Sequence, residues 1–264
     1  MYSLAIMTSK PTLILVPGAW HSPSTWVKVA TLLEQQDFKC VPVTLPSTTG
    51  NVSATLGDDV KAVRDAIQGE TSKGRDVVVV AHSYGGAVGQ SAIKGLTRPK
   101  IGHADPLPPT GHVIGLAMIA SGFGQTGTSF IDGVGGSPPP SWRTDPSGFA
   151  VIVAPPRELF YHDLPVEEGD YWVSKLEKQA LKALMEGGEF SYAGWRDVPV
   201  WLLATTEDKA LPVQVVYMMV EMAKKEGADV TLREVASSHS PMLSKPKETE
   251  EFILEAVAAF VGSK

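Results

Sequence analysis

The sequence is short of three features that would mark it for particular functions. One cysteine, Cys40, occurs among the 264 residues, which excludes an internal disulfide and a metal site built from several cysteines. The formal net charge is −6 and the basic residues form no cluster, which argues against a nucleic-acid partner. No run approaches the ~18 apolar residues that span a bilayer, and a basic, apolar signal peptide is missing at the start. We therefore expect a cytoplasmic protein that binds neither nucleic acid nor membranes.

What the sequence does contain is typical of one large globular domain. Hydrophobic residues make up 43% of the chain and charged residues 20%, which is enough apolar material for a sizeable core. A length of 264 residues is high for one domain, but open α/β sheets of this size commonly form a single one. We predict one domain over residues 1–264, present as a monomer or a homodimer.

Apolar runs and helical periodicity alternate along most of the chain. The four consecutive valines at positions 77–80 are apolar on both faces, as in a central parallel strand that is covered on both sides. Between the runs, apolar residues recur at the spacing of amphipathic helices. This alternation predicts an α/β fold with a doubly wound, mainly parallel sheet. The predicted strands lie at 12–16, 39–43, 77–80, 113–120, 198–204 and 228–235.

Residues 121–195 interrupt this alternation with a segment rich in glycine, proline and aromatic side chains. A segment of this length without regular structure is uncommon in a compact domain unless it forms a functional lid or cap. We predict a helical and irregular cap, inserted after the fourth strand into a core formed by residues 10–120 and 196–264. One helix is predicted within it, over residues 171–185. The alternative is that the aromatic residues form a small separate core without a pocket.

The sequence around the central strand is similar to a nucleophile elbow. Ser83 follows the strand directly, and Gly85 and Gly86 come just after it, at the start of a predicted helix. In a nucleophile elbow a strained turn pushes the serine hydroxyl out above the carboxyl edge of the sheet. The usual motif is G-x-S-x-G, and Ala81 stands here in place of the first glycine.

A serine becomes a good nucleophile only when a base takes its proton and a third group orients that base. Asp208 follows the first strand after the insertion, and His239 follows the last strand. Both positions are at the carboxyl edge of the sheet, where the elbow serine emerges. Glu207 competes for the acid role, and we prefer Asp208 because the shorter side chain is the commoner orienter in such sites. The predicted catalytic residues are Ser83, Asp208 and His239.

Acyl transfer also requires two fixed N–H donors for the oxyanion. One is predicted to be the backbone N–H of Tyr84, directly after the serine. The other is predicted in the loop after the first strand, at Ala19, because Gly18 allows that backbone to approach closely.

Aromatic residues of the insertion and of the first loop are predicted to line the substrate pocket. His21 could contact a substrate or make a structural hydrogen bond, and His162 could line the pocket or lie on the surface. His82 is expected to pack against the sheet, since neighbouring side chains on a strand diverge. The predicted pocket residues are Trp20, His21, Phe123, Trp142, Phe160, Tyr161 and Trp172.

Four motifs in this order carry a family resemblance: P-G-A-W-H at 17–21, A-H-S-Y-G-G at 81–86, T-E-D-K-A-L-P at 206–212 and S-H-S-P-M-L at 238–243. With them the chain resembles the α/β-hydrolases over nearly its whole length. It is similar to the compact branch of plant methylesterases and hydroxynitrile lyases. The resemblance implies a triad of the serine, aspartate and histidine in these motifs, a cap after the fourth strand, and no metal or organic cofactor.

Two positions depart from that branch. Pro17 stands where the family usually has a histidine before the oxyanion glycine. The lyases carry a lysine directly after the catalytic histidine, and this chain has Ser240 there, which argues against cyanohydrin chemistry.

Three classes of function remain open from the sequence. The leading prediction is a serine hydrolase that cleaves a carboxylic ester or lactone of a medium-sized apolar or aromatic molecule through an acyl-serine. The second is carbon–carbon bond cleavage at the same triad, by retro-aldol or diketone chemistry. The third is a ligand-binding receptor with a vestigial hydrolase site, since a fold does not settle a function. In each case the expected partner is a small molecule.

Overall fold

The computed structural model describes residues 10–98 and 110–262. Its strands are β1 (Thr12–Val16), β2 (Cys40–Pro42), β3 (Val77–His82), β4 (Val113–Ile119), β5 (Trp142–Thr144), β6 (Phe149–Ile152), β7 (Gln179–Ala180), β8 (Val200–Thr205) and β9 (Val230–Val235). Its helices are α1 (Val27–Gln35), α2 (Leu56–Thr71), α3 (Tyr84–Ala92), α4 (Phe130–Gly133), α5 (Pro156–Phe160), α6 (Val166–Val173), α7 (Leu181–Met185), α8 (Val213–Lys225), α9 (Pro241–Ser244) and α10 (Pro246–Gly262). Within the described ranges, no helix is both long and apolar enough to cross a membrane.

Six parallel strands form the main sheet, in the order β2-β1-β3-β4-β8-β9. The four valines lie in β3, in the interior of the sheet between β1 and β4, and all of them are fully buried. Their β-branched side chains suit a pleated surface that is covered on both faces. The predicted α/β class with a doubly wound, mainly parallel sheet is confirmed.

Helices cover both faces of the main sheet, and the alternation of side chains along each strand divides the core in two. Ile14 and Val16 of β1 pack on the face that α2, α3 and α8 cover. Leu13 and Leu15 pack on the opposite face, with α1 and α10. Because all six strands run the same way, their carboxyl ends lie at one edge, and the loops that follow them meet there.

The insertion after β4 has more regular structure than the sequence indicated. It contains α4 to α7 and a separate antiparallel sheet of three strands, in the order β5-β6-β7. The predicted helix over residues 171–185 is wrong, because α6 ends at Val173 and β7 precedes α7. Gln179 and Ala180 pair with β6 instead of continuing a helix, and both are fully buried. Tertiary pairing overrides the helical spacing of the apolar residues here. The sequence also predicts a surface loop rich in proline and glycine at 98–111, and its residues 99–109, which include His103, lie outside the described residues.

Candidate active site

Ser83 occupies the sharp turn between β3 and α3. Its φ of 52° and ψ of −126° form a backbone conformation that residues other than glycine rarely adopt. Helix α3 begins at the next residue. Ala81 fits where the motif usually has glycine, because its side chain packs in the buried core. The strained turn has the form expected of a nucleophile elbow.

Gly85 lets α3 approach the end of β1 closely. A Cβ at this position would meet the carbonyl oxygens of Pro17 and Val16, the second at 2.8 Å. Both are backbone atoms, so the clash cannot be relieved by a side-chain rotation. We expect Gly85→Ala to lower the free energy of unfolding by about 3 kcal/mol, measured by urea denaturation.

Gly69 supplies the matched control for that substitution. It lies inside α2, and a Cβ there would meet nothing within 4 Å. Because alanine has the higher helix propensity, Gly69→Ala is expected to raise the free energy of unfolding by about 0.5–1 kcal/mol. Equal stability changes in the two variants would contradict a steric requirement for glycine at the elbow.

His239 and Asp208 form a buried hydrogen-bonded pair. The Nδ1–H of His239 donates to Asp208 Oδ2 at 2.7 Å, and Thr205 Oγ1 donates to the same oxygen at 2.8 Å. The backbone N–H groups of Ala210 and Leu211 donate to Asp208 Oδ1, each at 2.8 Å. Burial raises the pKa of Asp208, but attraction to His239 and these hydrogen bonds outweigh burial and hold the pKa below its ordinary value. The carboxylate is therefore ionised at neutral pH.

The neighbouring acid, Glu207, has a different environment. Its side chain is exposed, and its backbone carbonyl accepts a hydrogen bond from His162 Nε2 at 2.9 Å. The structure thus brings Asp208, and not Glu207, into contact with His239. His162 packs on the outside of this loop and is not part of the cavity wall described below.

The His82 ring packs against the ring of His239. Its ring centroid lies 4.7 Å from that of His239, and its Nε2–H donates to the His239 carbonyl at 2.8 Å. Burial, followed by the nearby histidine rings, lowers the pKa of His82 well below its ordinary value. Sequence reasoning expected only packing against the sheet, and missed that this neutral ring holds the backbone of the candidate base in place.

The loop after β1 and the start of α3 supply the two predicted oxyanion donors. The Tyr84 N–H is the first of α3 and has no partner inside the helix. In the described chain, the Ala19 N–H makes no backbone hydrogen bond either. The following residue, Trp20, is fixed on both sides: its N–H donates to Gln179 Oε1 at 3.3 Å and its carbonyl accepts from the Glu177 N–H at 2.8 Å. The insertion therefore holds the backbone of the loop after β1 in place.

His21 holds the same loop through a hydrogen bond to its backbone. Its Nδ1–H donates to the Ala19 carbonyl at 2.6 Å, and its Nε2 accepts from the Tyr161 hydroxyl at 2.7 Å. The tautomer follows from the partners, because a carbonyl can only accept. Burial lowers the pKa of His21 to about 4, so the ring is neutral at pH 7. Of the two roles predicted for His21, the structure shows the structural hydrogen bond.

A cavity of about 160 Å³ lies over the elbow, between the main sheet and the insertion. Ser83, His239, Ala19 and Tyr84 all line it. Four of the predicted pocket residues do so too: Trp20, Phe123, Trp142 and Phe160.

Three predicted pocket residues do not lie on the cavity wall: His21, Tyr161 and Trp172. All three are buried behind it, at most 5% exposed. The Tyr161 hydroxyl donates a hydrogen bond to His21. Trp172 packs in the core, on the face of the sheet that α1 and α10 cover. Aromatic composition alone does not distinguish a cavity wall from the core that supports it.

Comparisons with known proteins agree with this geometry. A model described as the alpha/beta hydrolase family matches residues 13–252. The chain belongs to the alpha/beta hydrolase family. It is 28% identical to Alpha/beta hydrolase nvfD of Aspergillus novofumigatus, over 90% of this chain and 92% of that protein. It is 24% identical to Probable hydrolase R7 of a Phoma species, over 94% of this chain and 98% of that protein.

Solved structures share the fold of this alpha/beta hydrolase. A pyrethroid hydrolase from Sphingobium faniae superposes with a TM-score of 0.70 at 19% identity, covering 94% of this chain and 98% of that one. A polyneuridine aldehyde esterase gives 0.71 at 18% identity, and a methylesterase from Arabidopsis 0.70 at 18%, each covering 94% and 99%. The predicted resemblance to α/β-hydrolases and the plant methylesterase branch is confirmed.

Several cavity residues of this alpha/beta hydrolase were not predicted from sequence. Ala87 and Gln90 of α3 lie on the same face of the helix as Tyr84, because the three residues are spaced three apart. This spacing could have predicted them as cavity residues from the sequence. Phe130 and Leu159 come from the insertion and carried no such signal. Across the described residues, no three His, Cys, Asp or Glu side chains are placed to hold a metal ion.

Proposed function

We propose that this chain is a serine hydrolase that cleaves a carboxylic ester or lactone of a medium-sized apolar or aromatic molecule through an acyl-serine intermediate. The observation that carries the proposal is the buried pair of His239 and Asp208, which shares one cavity with Ser83 in its strained turn. Ser83, Asp208 and His239 follow three different strands at one edge of the sheet, where a nucleophile, an orienting acid and a base can act together.

In the proposed reaction, Ser83 Oγ attacks the ester carbonyl while His239 Nε2 takes its proton. The oxyanion accepts hydrogen bonds from the N–H groups of Ala19 and Tyr84. His239 then gives the proton to the leaving alcohol, and a water activated by the same ring releases the acid. Ser83 and His239 line the same cavity, and a hydrogen bond from the Ser83 hydroxyl to His239 Nε2 is expected to form when substrate binds.

The wall of the cavity supports the substrate class. It is mainly apolar and aromatic, which suits ligands with few polar groups. Its volume of about 160 Å³ is similar to that of a cavity that holds one benzene-sized group, roughly 150 Å³. The names of structural neighbours, a pyrethroid hydrolase and an aldehyde esterase, are compatible with hydrolysis of apolar substrates on this fold.

A covalent probe tests the proposal directly. We expect a fluorophosphonate to add once to the native chain, at a peptide containing Ser83, as measured by intact-protein and peptide mass. Ser83→Ala should give no adduct, and the native chain should hydrolyse p-nitrophenyl esters.

The same experiment separates the proposal from carbon–carbon bond cleavage and from ligand binding alone. An acyl group trapped on Ser83 after rapid quenching supports hydrolysis through a covalent intermediate. A folded native chain that gains no adduct and turns over no ester would overturn the proposed function.

A further inference from the structure

The side-chain carbonyl oxygen of Gln90 is buried and has no hydrogen-bond partner among the described residues. The residue is 2% exposed, and its Oε1 accepts no hydrogen bond from the described part of the chain. Such atoms are rare, because burying an unpaired amide costs about 1–3 kcal/mol. Gln179 shows the usual case: it is equally buried, and its amide bonds to Trp20 and Ala180. The unpaired Oε1 of Gln90 therefore requires an explanation.

The position of Gln90 on the cavity wall provides one. The residue lines the same cavity as Ser83, on the helix face that begins at Tyr84 and continues through Ala87. Seven residues separate it from Ser83, which at about 1.5 Å per residue is about 10 Å along the helix. The backbone of Gln90 thus lies about 10 Å along α3 from the candidate nucleophile.

The residues around the Gln90 amide fix its position. A Cβ on Gly124 would collide with Gln90 Nε2, so the glycine leaves space for the amide. The Gly124 carbonyl is fixed in turn by a hydrogen bond from Trp195 Nε1–H, at 2.8 Å. The nearby wall residue Phe123 packs edge-to-face on the Trp195 ring, with the centroids 5.7 Å apart. Aromatic packing therefore fixes the backbone that lies against the amide.

We propose that Gln90 is a specificity-determining residue that hydrogen-bonds a hydroxyl of the substrate, at the end remote from the scissile carbonyl. This inference rests on the proposed hydrolase function and narrows its substrate class to hydroxylated apolar esters. An amide offers both an acceptor and donors, and a hydroxyl matches both. A substrate that ends in a methyl group leaves the Gln90 oxygen without a hydrogen bond, and so binds less well.

The test compares esters that differ only in that hydroxyl. We expect the native chain to favour p-nitrophenyl esters of ω-hydroxy acids over the methyl-ended acids of equal length by about tenfold in kcat/KM, at the chain length that reaches Gln90. A second series, acetates of ω-hydroxy alcohols and plain alcohols, covers the case in which the alcohol side fills that end. Gln90→Leu should abolish the preference, by slowing the hydroxylated ester and accelerating the apolar one. No preference in either series would overturn the proposal.

Ser91→Ala is the matched control, because it removes a neighbouring polar group on the same helix. Its Oγ donates to the Ala87 carbonyl at 2.7 Å and accepts from the Tyr192 N–H at 3.1 Å, so it is satisfied by the protein. We expect this variant to keep the preference for hydroxylated esters. Loss of the preference in Ser91→Ala as well would show that it reflects general loosening of α3.

A binding measurement separates failure of this inference from failure of the proposed function. Calorimetry with the native chain should give tighter binding of octanediol than of octanol, and Gln90→Leu should reverse the order. This result does not require ester hydrolysis. Equal affinities for the two alcohols in the native chain would overturn the role of Gln90 even if the chain proves to be an esterase.

Discussion

Replacement of Ser83 by alanine is expected to lower kcat/KM for p-nitrophenyl esters by about 10⁴-fold or more. The substitution removes the only atom that can carry the acyl group in the proposed reaction, while the oxyanion donors and the cavity remain. Alanine keeps the same Cβ at the φ of 52°, so the backbone strain is unchanged. Initial rates of ester hydrolysis, with the unfolding midpoint measured on the same sample, check this result.

A serine elsewhere on the same helix shows whether the effect is specific to the elbow. Ser91 does not line the cavity, and Ser91→Ala is expected to hydrolyse the esters at a rate close to that of the native chain. If Ser83→Ala instead kept near-native turnover of the esters, an acyl-serine pathway would be ruled out.

Asp208→Asn is expected to lower kcat by about 10⁴-fold with little change in fold. The two backbone N–H donors of Ala210 and Leu211 require an acceptor at the Oδ1 position, so they fix the asparagine oxygen there. The asparagine NH₂ then faces His239 Nδ1 and donates to it. This moves the ring proton to Nε2, which can no longer take the proton of Ser83. Enzyme kinetics and the NMR chemical shifts of the His239 ring nitrogens measure both effects.

Glu207→Gln is the control for that substitution, because it removes an acid one position earlier in the same loop. The Glu207 side chain is exposed and does not contact His239, so its amide is expected to leave kcat nearly unchanged. Similar losses in the two variants would indicate a general electrostatic effect of the loop. Turnover by Asp208→Asn within about tenfold of native would show that the carboxylate does not set the tautomer of His239.

The sheet and the positions of the candidate catalytic residues could be predicted because they depend on local patterns. Four consecutive β-branched valines favour a strand that is covered on both faces, and the structure buries them inside the sheet. Residues that directly follow parallel strands lie at one edge whatever the loops do. For this reason Ser83, Asp208 and His239 were placed together from sequence, although their catalytic roles remain a prediction.

The insertion was harder to predict because its structure depends on distant partners. Residues 179 and 180 have the spacing of a helix but pair with β6, and the Gln179 amide holds the backbone of Trp20. His21, Tyr161 and Trp172 were assigned to the pocket from composition. All three are buried on the far side of its wall, and composition carries no information about which side of a wall a side chain faces.

The sequence by itself determined the α/β class, the order of the parallel strands along the chain and the position of the turn at Ser83, since periodicity, glycine placement and residue type are local properties. Only the tertiary structure decided which polar groups are satisfied. It pairs His239 with Asp208, uses His21 and His82 to hold backbone carbonyls, and leaves the side-chain carbonyl oxygen of Gln90, a cavity residue, unpaired among the described residues. Hydrogen bonding in a buried site depends on atoms that lie far apart in the chain, and their distances are set only when the whole fold packs.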